Sequence, residues 1–118
     1  MDLPAVVDAV VELLDTAGVR HVTADPSKLN LPGVLVQWSG VDVDLLAGQT
    51  HELRLLLVAP DRDDPRTLAA LSDLLAAVVD VVEPSGPVRS RGVRLSTQPS
   101  PMPALEYPIR VTYTPNEE

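Results

Sequence analysis

The stretch His51-Glu52-Leu53-Arg54-Leu55-Leu56-Leu57-Val58-Ala59 alternates polar and apolar side chains in its first half and is apolar at every position in its second. Alternation with a period of two marks a strand with one wet face, and a short unbroken apolar run marks a strand covered on both faces. The stretch therefore predicts the central strand of a sheet, with layers on both sides of its second half.

Downstream, Asp61-Arg62-Asp63-Asp64-Pro65 opens a helix. Asp64 suits the N-cap, Pro65 suits the first helical position, and the acidic charge lies at the positive end of the helix dipole. Leu68, Leu71, Leu74, Leu75, Val78, Val79 and Val82 make one apolar stripe, and Pro84, Gly86 and Pro87 stop it, which predicts a helix over 65–82. Upstream, Val34, Val36 and Trp38 share one phase of a period-two pattern, and Val41, Val43 and Leu45 share the other. Ser39-Gly40 stands between them, which predicts two strands around a tight turn, followed by a loop at 47–50.

The remaining elements follow from similar signals. An amphipathic helix spans 3–17, with Asp2 as its cap, Pro4 in its first turn and Gly18 as the left-handed residue that ends it. A short strand at 19–23 gives way at Asp25-Pro26 to a loop over 24–33, pinned by Leu29 and Leu31. Two last strands, 92–97 and 105–114, are joined by the stiff segment Gln98-Pro99-Ser100-Pro101-Met102-Pro103. Pro108 cannot donate to a ladder, so its strand sits at an edge or turns the Pro108 nitrogen outward. The sum is one α+β domain over 1–114 with a disordered tail at 115–118. Its expected sheet is mixed or antiparallel, of about five to six strands, with two helices packed on one face in the order α-β-β-β-β-α-β-β.

Composition narrows the function. The chain has 118 residues, 45% of them hydrophobic, with no Phe, one Trp and two Tyr, so Val, Leu and Ala fill the core. No apolar run approaches the roughly 18 residues that span a bilayer, and no signal-peptide pattern opens the chain. No cysteine is present, which removes disulfides, thiolate metal sites and cysteine nucleophiles together. A net charge of −8 argues against a surface that grips nucleic acid, though it suits the lining of a conduit along which DNA slides.

Catalytic patterns are missing. Asp61, Asp63 and Asp64 lack the further ligands of a calcium loop and read as helix capping. His21 and His51 fall in no ligand motif and read as strand-surface or strand-end residues. None of the serines sits in a nucleophile elbow, and the glycines are scattered singly. Arg89, Arg91 and Arg94 form the one local basic cluster; it could meet a phosphate or an acidic partner, but reads first as a solvated face. No catalytic, cofactor or metal site is expected, and Trp38 is a candidate for either core or protein contact.

The loop and strand Val22-Thr23-Ala24-Asp25-Pro26-Ser27-Lys28-Leu29-Asn30-Leu31-Pro32-Gly33-Val34-Leu35-Val36, the strand end Leu57-Val58-Ala59-Pro60-Asp61 before a leucine-rich helix, and the final Ala104-Leu105-Glu106-Tyr107-Pro108-Ile109-Arg110-Val111-Thr112-Tyr113-Thr114 resemble the tail terminator (tail completion) proteins of actinobacterial siphophages. The resemblance implies a structural virion protein and no enzyme. Such a protein assembles as a hexameric ring on the finished tail tube, halts its polymerisation and presents a surface to head-completion proteins. It implies as partners further copies of the chain, the tail tube protein and the head-completion protein. DNA would pass through the lumen without specific binding, with no membrane and no cofactor. The expected location is the host cytoplasm during assembly and the neck-proximal end of the virion tail afterwards. Loop position and residue type place subunit contacts in 41–50, at Asp42, Asp44 and Leu46, in 98–103, at Pro99, Pro101 and Met102, and at Trp38 and Arg54. A head-closure or neck adaptor protein and a small ligand-binding or enzymatic domain are the alternatives.

Overall fold

The amphipathic pattern at the start of the chain forms helix α1, Leu3–Thr16, which buries Val6, Val10 and Leu14. In the computed structural model that describes residues 3–44, 48–60, 64–94 and 101–113, this helix ends in a Schellman motif. The Val19 N–H reaches back to the Leu14 carbonyl at 3.0 Å and the Gly18 N–H to the Asp15 carbonyl at 3.1 Å. Gly18 takes a φ of +92°, which a residue without Cβ adopts at little cost, and buried Val19 packs beneath buried Leu14. Asp2, the expected cap, lies outside the described residues.

The strands are β1 (Val22–Thr23), β2 (Gly33–Asp44), β3 (Gly48–Val58), β4 (Arg89–Val93) and β5 (Met102–Tyr113), and the second helix is α2 (Asp64–Val79). They form one sheet in the order β1-β2-β3-β5-β4. β1 and β2 run parallel and the other pairs antiparallel, so the sheet is mixed and β3 is its centre. Leu53, Leu55 and Leu57 of β3 join Val6, Val10 and Leu14 of α1, Leu74 and Val78 of α2, and Tyr107 and Ile109 of β5 in one cluster, so both helices pack on one face. Leu56 and Val58 point the other way and join Leu35, Val93, Met102 and Ala104, with Leu29 and Leu31 of the loop laid against them. The wholly apolar half of β3 is thus buried on both faces, as its sequence predicts.

Several expectations change. The pattern around Ser39-Gly40 is not a turn between two strands but a bulge within β2: Trp38 pairs with Leu53 and Gly40 with Glu52, leaving Ser39 as the extra residue. A bulge shifts a period-two pattern by one, so it produces the same change of phase that a turn would. The merger leaves five strands, in the order α-β-β-β-α-β-β. The expected loop at 47–50 likewise becomes strand from Gly48 onward.

The strand expected at 19–23 shrinks to Val22–Thr23, because His21 adopts a left-handed φ of 52° and Val19 closes the helix instead. The last two strands begin earlier than expected, at Arg89 and Met102, so Met102 and Pro103 are ladder residues paired with Val93 and Gly92 and not part of a connector. Helix α2 ends at Val79; Leu68 and Val79, expected in its buried stripe, are 65% and 46% exposed. Leu71, Leu74 and Val78 of that stripe are buried, and Leu75 and Val82 pack half-buried against the helix-facing cluster. Residues 61–63, 95–100 and 114–118, with the expected tail, lie outside the described residues.

Pro108 follows the expected rule. Its carbonyl accepts from the Ser85 N–H at 2.8 Å, on the side of β5 away from β3. In an extended strand a residue's N and C=O point to the same side, so the proline nitrogen also faces away from the ladder.

Candidate protein interface

The helices cover one end of the sheet, and the helix-facing row continues beyond them. In register across β2, β3 and β5 lie Trp38, Leu53 and Ile109, then Val41, His51 and Val111, then Val43, Gln49 and Tyr113. Leu53 and Ile109 are buried, whereas Trp38, Val41 and Val43 are 36%, 40% and 61% exposed. The bulge at Ser39 makes this row possible: without the extra residue, Val41 and Val43 would face the opposite side from Trp38. The Ser39 hydroxyl donates to the Glu52 carbonyl at 2.9 Å and anchors the bulge.

His51 holds the row together and is fully buried, unlike the strand-surface or strand-end residue the sequence suggests. The Trp38 indole N–H donates to His51 Nδ1 at 3.2 Å, which makes Nδ1 the acceptor and places the ring proton on Nε2, 3.1 Å from Gln49 Oε1. The Tyr113 ring meets the imidazole edge to face at a centroid distance of 5.7 Å. Both ring nitrogens are therefore occupied within the fold, in an arrangement suited to fixing Trp38 and not to taking a proton from a substrate. Replacing His51 by Leu should cost about 1–2 kcal/mol, because the indole N–H loses its acceptor in a half-buried setting. Urea titration measures that loss, and the fluorescence of the single tryptophan should shift to the red as its ring is released.

The opposite face is polar where the first is apolar. Glu106 receives Arg54 at 3.2 Å and Arg91 at 3.4 Å, and Glu52 receives Arg110 at 3.3 Å. These are exposed pairs, each worth roughly 0–1 kcal/mol, so they shape the surface charge more than the stability. Arg89 is paired with Glu106 across β4 and β5 and so joins the same face. Four arginines thus surround two glutamates on one side of a chain whose net charge is −8. An open groove of about 410 Å³ runs between them, lined by Ser39, Glu52, Arg54, Arg89, Glu106 and Arg110 among others. A second, of about 520 Å³, lies between α2 and β4 and is lined in part by Leu68, Leu71, Gly92 and Ala104. Among the described residues neither is lined by a histidine or an aspartate. Among the described residues no three His, Asp or Glu side chains come together as a metal site requires.

The sequence-predicted contact residues separate accordingly. Trp38 and Asp42 lie exposed on β2, with Asp42 on the polar face opposite Thr50. Arg54 is exposed but already paired with Glu106, and Pro101 is exposed just before β5. Met102 is 5% exposed and belongs to the core, a correction that follows from its pairing with Val93. Asp44 ends β2 with a side chain outside the described residues, as are Leu46 and Pro99. The Asp25-Pro26-Ser27 stretch forms a capped 3-10 turn, in which the Ser27 hydroxyl and then its backbone N–H hold the Asp25 carboxyl below its ordinary pKa. Sequence reasoning placed contacts in 41–50 without singling out Val41 and Val43, and missed the Arg54–Glu106 and Arg110–Glu52 pairs, which join separate strands. Compared with known proteins, the chain matches no family model, no curated relative and no solved structure.

Proposed function

We propose that this chain is a structural virion protein, a phage tail terminator that forms a hexameric ring on the tail tube, stops its growth and offers a docking surface to head-completion proteins. The observation that carries the reading is the exposed row Trp38, Val41 and Val43, which lies along a strand edge with no neighbouring strand among the described residues. Large apolar side chains set beside unpaired backbone groups suit contact with another protein. The resemblance of the 22–36, 57–61 and 104–114 stretches to tail terminators supplies the identity of that protein: further copies of the chain, and the last ring of tube subunits. The paired charges of the opposite face suit the same role, since they present a hydrated surface and no converging catalytic groups. In this role the chain takes no cofactor, meets DNA only as it slides through the lumen, and resides at the neck-proximal end of the tail.

The test is to polymerise the tail tube protein encoded in the same genome with and without this chain. Added chain should stop elongation and leave a ring at one end of each tube in electron micrographs. Tubes of unchanged length with no terminal ring would exclude the terminator role. Binding only to purified head-completion protein would assign the chain to the neck instead.

A further inference from the structure

Among the described residues, the backbone hydrogen bonds leave two open edges on opposite sides of the same part of the sheet. Because Pro108 turns its C=O away from β3, every second residue of β5 does the same, so Arg110 and Thr112 present N–H and C=O groups outward. β4 pairs only with 102–106 and does not reach them. By the same alternation Leu53 and His51 face β5 while Glu52 and Thr50 face β2, which turns Gly40 and Asp42 inward and Val41 and Val43 outward. β1 pairs only with Val34 and Leu35, so among the described residues this edge of β2 is open as well.

We infer that the open edge of β2 at 41–43 joins the open edge of β5 at 110–112 in a second copy of this chain, continuing the sheet from one subunit into the next. Three observations fit this partner. Both edges lie at the same level along the strands, since Val41, His51 and Val111 are in register, as are Asp42, Thr50 and Thr112. A copy set beside the first therefore needs no shift along the strand axis. Exposed Val41 and Val43 would then meet half-buried Val111 and Tyr113 on the helix face, extending one apolar row. On the other face exposed Asp42 of one copy lies level with Thr112 of the next and diagonal to Arg110, whose side chain is 60% exposed, and an acidic chain gains attraction where its copies meet. β2 and β5 each run antiparallel to β3, so the new pairing is parallel. It uses two different surfaces, and such head-to-tail contacts close into rings when the rotation permits.

This pairing rests on the ring-forming part of the reading above and not on tube capping. The absence of cysteine makes it directly testable with Val41→Cys and Val111→Cys in one chain. Within a subunit these positions are two strand spacings apart, about 9.6 Å, beyond the roughly 7 Å that a disulfide can bridge. Oxidation should therefore produce a ladder of multimers larger than dimers, reversed by reductant, while each single variant should give few. Efficient dimers from Val41→Cys alone would mean that two β2 edges meet across a two-fold axis, and would overturn the inference. So would a folded double variant that stays monomeric at the highest concentration it reaches; circular dichroism and urea unfolding of the reduced protein establish that it is folded. Multimers from a chain that leaves tube length unchanged would keep the edge pairing and remove the terminator role. Capping by a double variant that never cross-links would do the reverse.

Discussion

Tyr107→Ala is expected to lower the free energy of unfolding by about 3–5 kcal/mol, a large share of the 5–15 kcal/mol typical of a domain. Tyr107 is the largest fully buried side chain and stands in register with Leu55 at the centre of the helix-facing cluster. Its phenol O–H donates to the Val82 carbonyl, just beyond the end of α2. One side chain thus fills the core and ties the helix exit to the sheet. Tyr107→Phe separates the two contributions. It keeps the ring, strips the donor from a half-buried carbonyl and should cost about 1–2 kcal/mol. Equilibrium urea unfolding measures both variants, and a Tyr107→Ala loss below about 1 kcal/mol would mean that the core collapses around the cavity.

The same residue shapes the alkaline limit. Burial, and next the negative charge of Glu83, raise the Tyr107 phenol above its ordinary value of 10.0. A raised folded-state pKa means that the folded chain holds this proton more tightly than the unfolded one. The contribution is complete below about pH 10, where the unfolded tyrosine is still protonated, and is lost as pH rises through the folded value. Wild type should therefore lose stability above about pH 10 more steeply than Tyr107→Phe, which has no phenol there to ionise.

Gly33→Ala is the second large effect, through crowding instead of a cavity. A Cβ at this position would stand within 2.9 Å of the His21 carbonyl oxygen and of Leu29 Cδ1, and closer still to the Asn30 carbonyl oxygen. Two of these are backbone atoms, and the His21 carbonyl already accepts the Val34 N–H that joins β1 to β2. The chain must open the 21–30 loop from the sheet, which also lifts Leu29 off the second cluster. The cost should reach or exceed the roughly 1–3 kcal/mol of ordinary overpacking. Gly40→Ala is the internal comparison: nothing lies within 4 Å of a Cβ there, so its urea midpoint should stay close to wild type. Equal losses from the two substitutions would mean that the close approach at Gly33 is not what requires glycine.

Much of the scaffold was legible because its signals are local. The continuous run from Leu55 to Ala59 could lie only between two layers, Gly18 could end α1 by backbone geometry alone, and Pro108 could only turn its nitrogen away from a ladder. The candidate interface was less legible. Trp38 is ambiguous in sequence because core and contact surface favour the same residue, and Met102 looked exposed because the prolines around it suggest a connector.

By itself, the sequence determined the class of the protein: an aliphatic α+β domain with two amphipathic helices and a doubly covered strand, since helix and strand periods and the side chains that cap or break them act over a few residues. Only the tertiary structure decided that Ser39 is a bulge and not a turn, that His51 lies under Trp38, and that among the described residues β2 and β5 end as open edges at one level. Each of these depends on which strands become neighbours and in what register. That choice is made by the summed packing of residues far apart in the chain, which no short window of sequence contains.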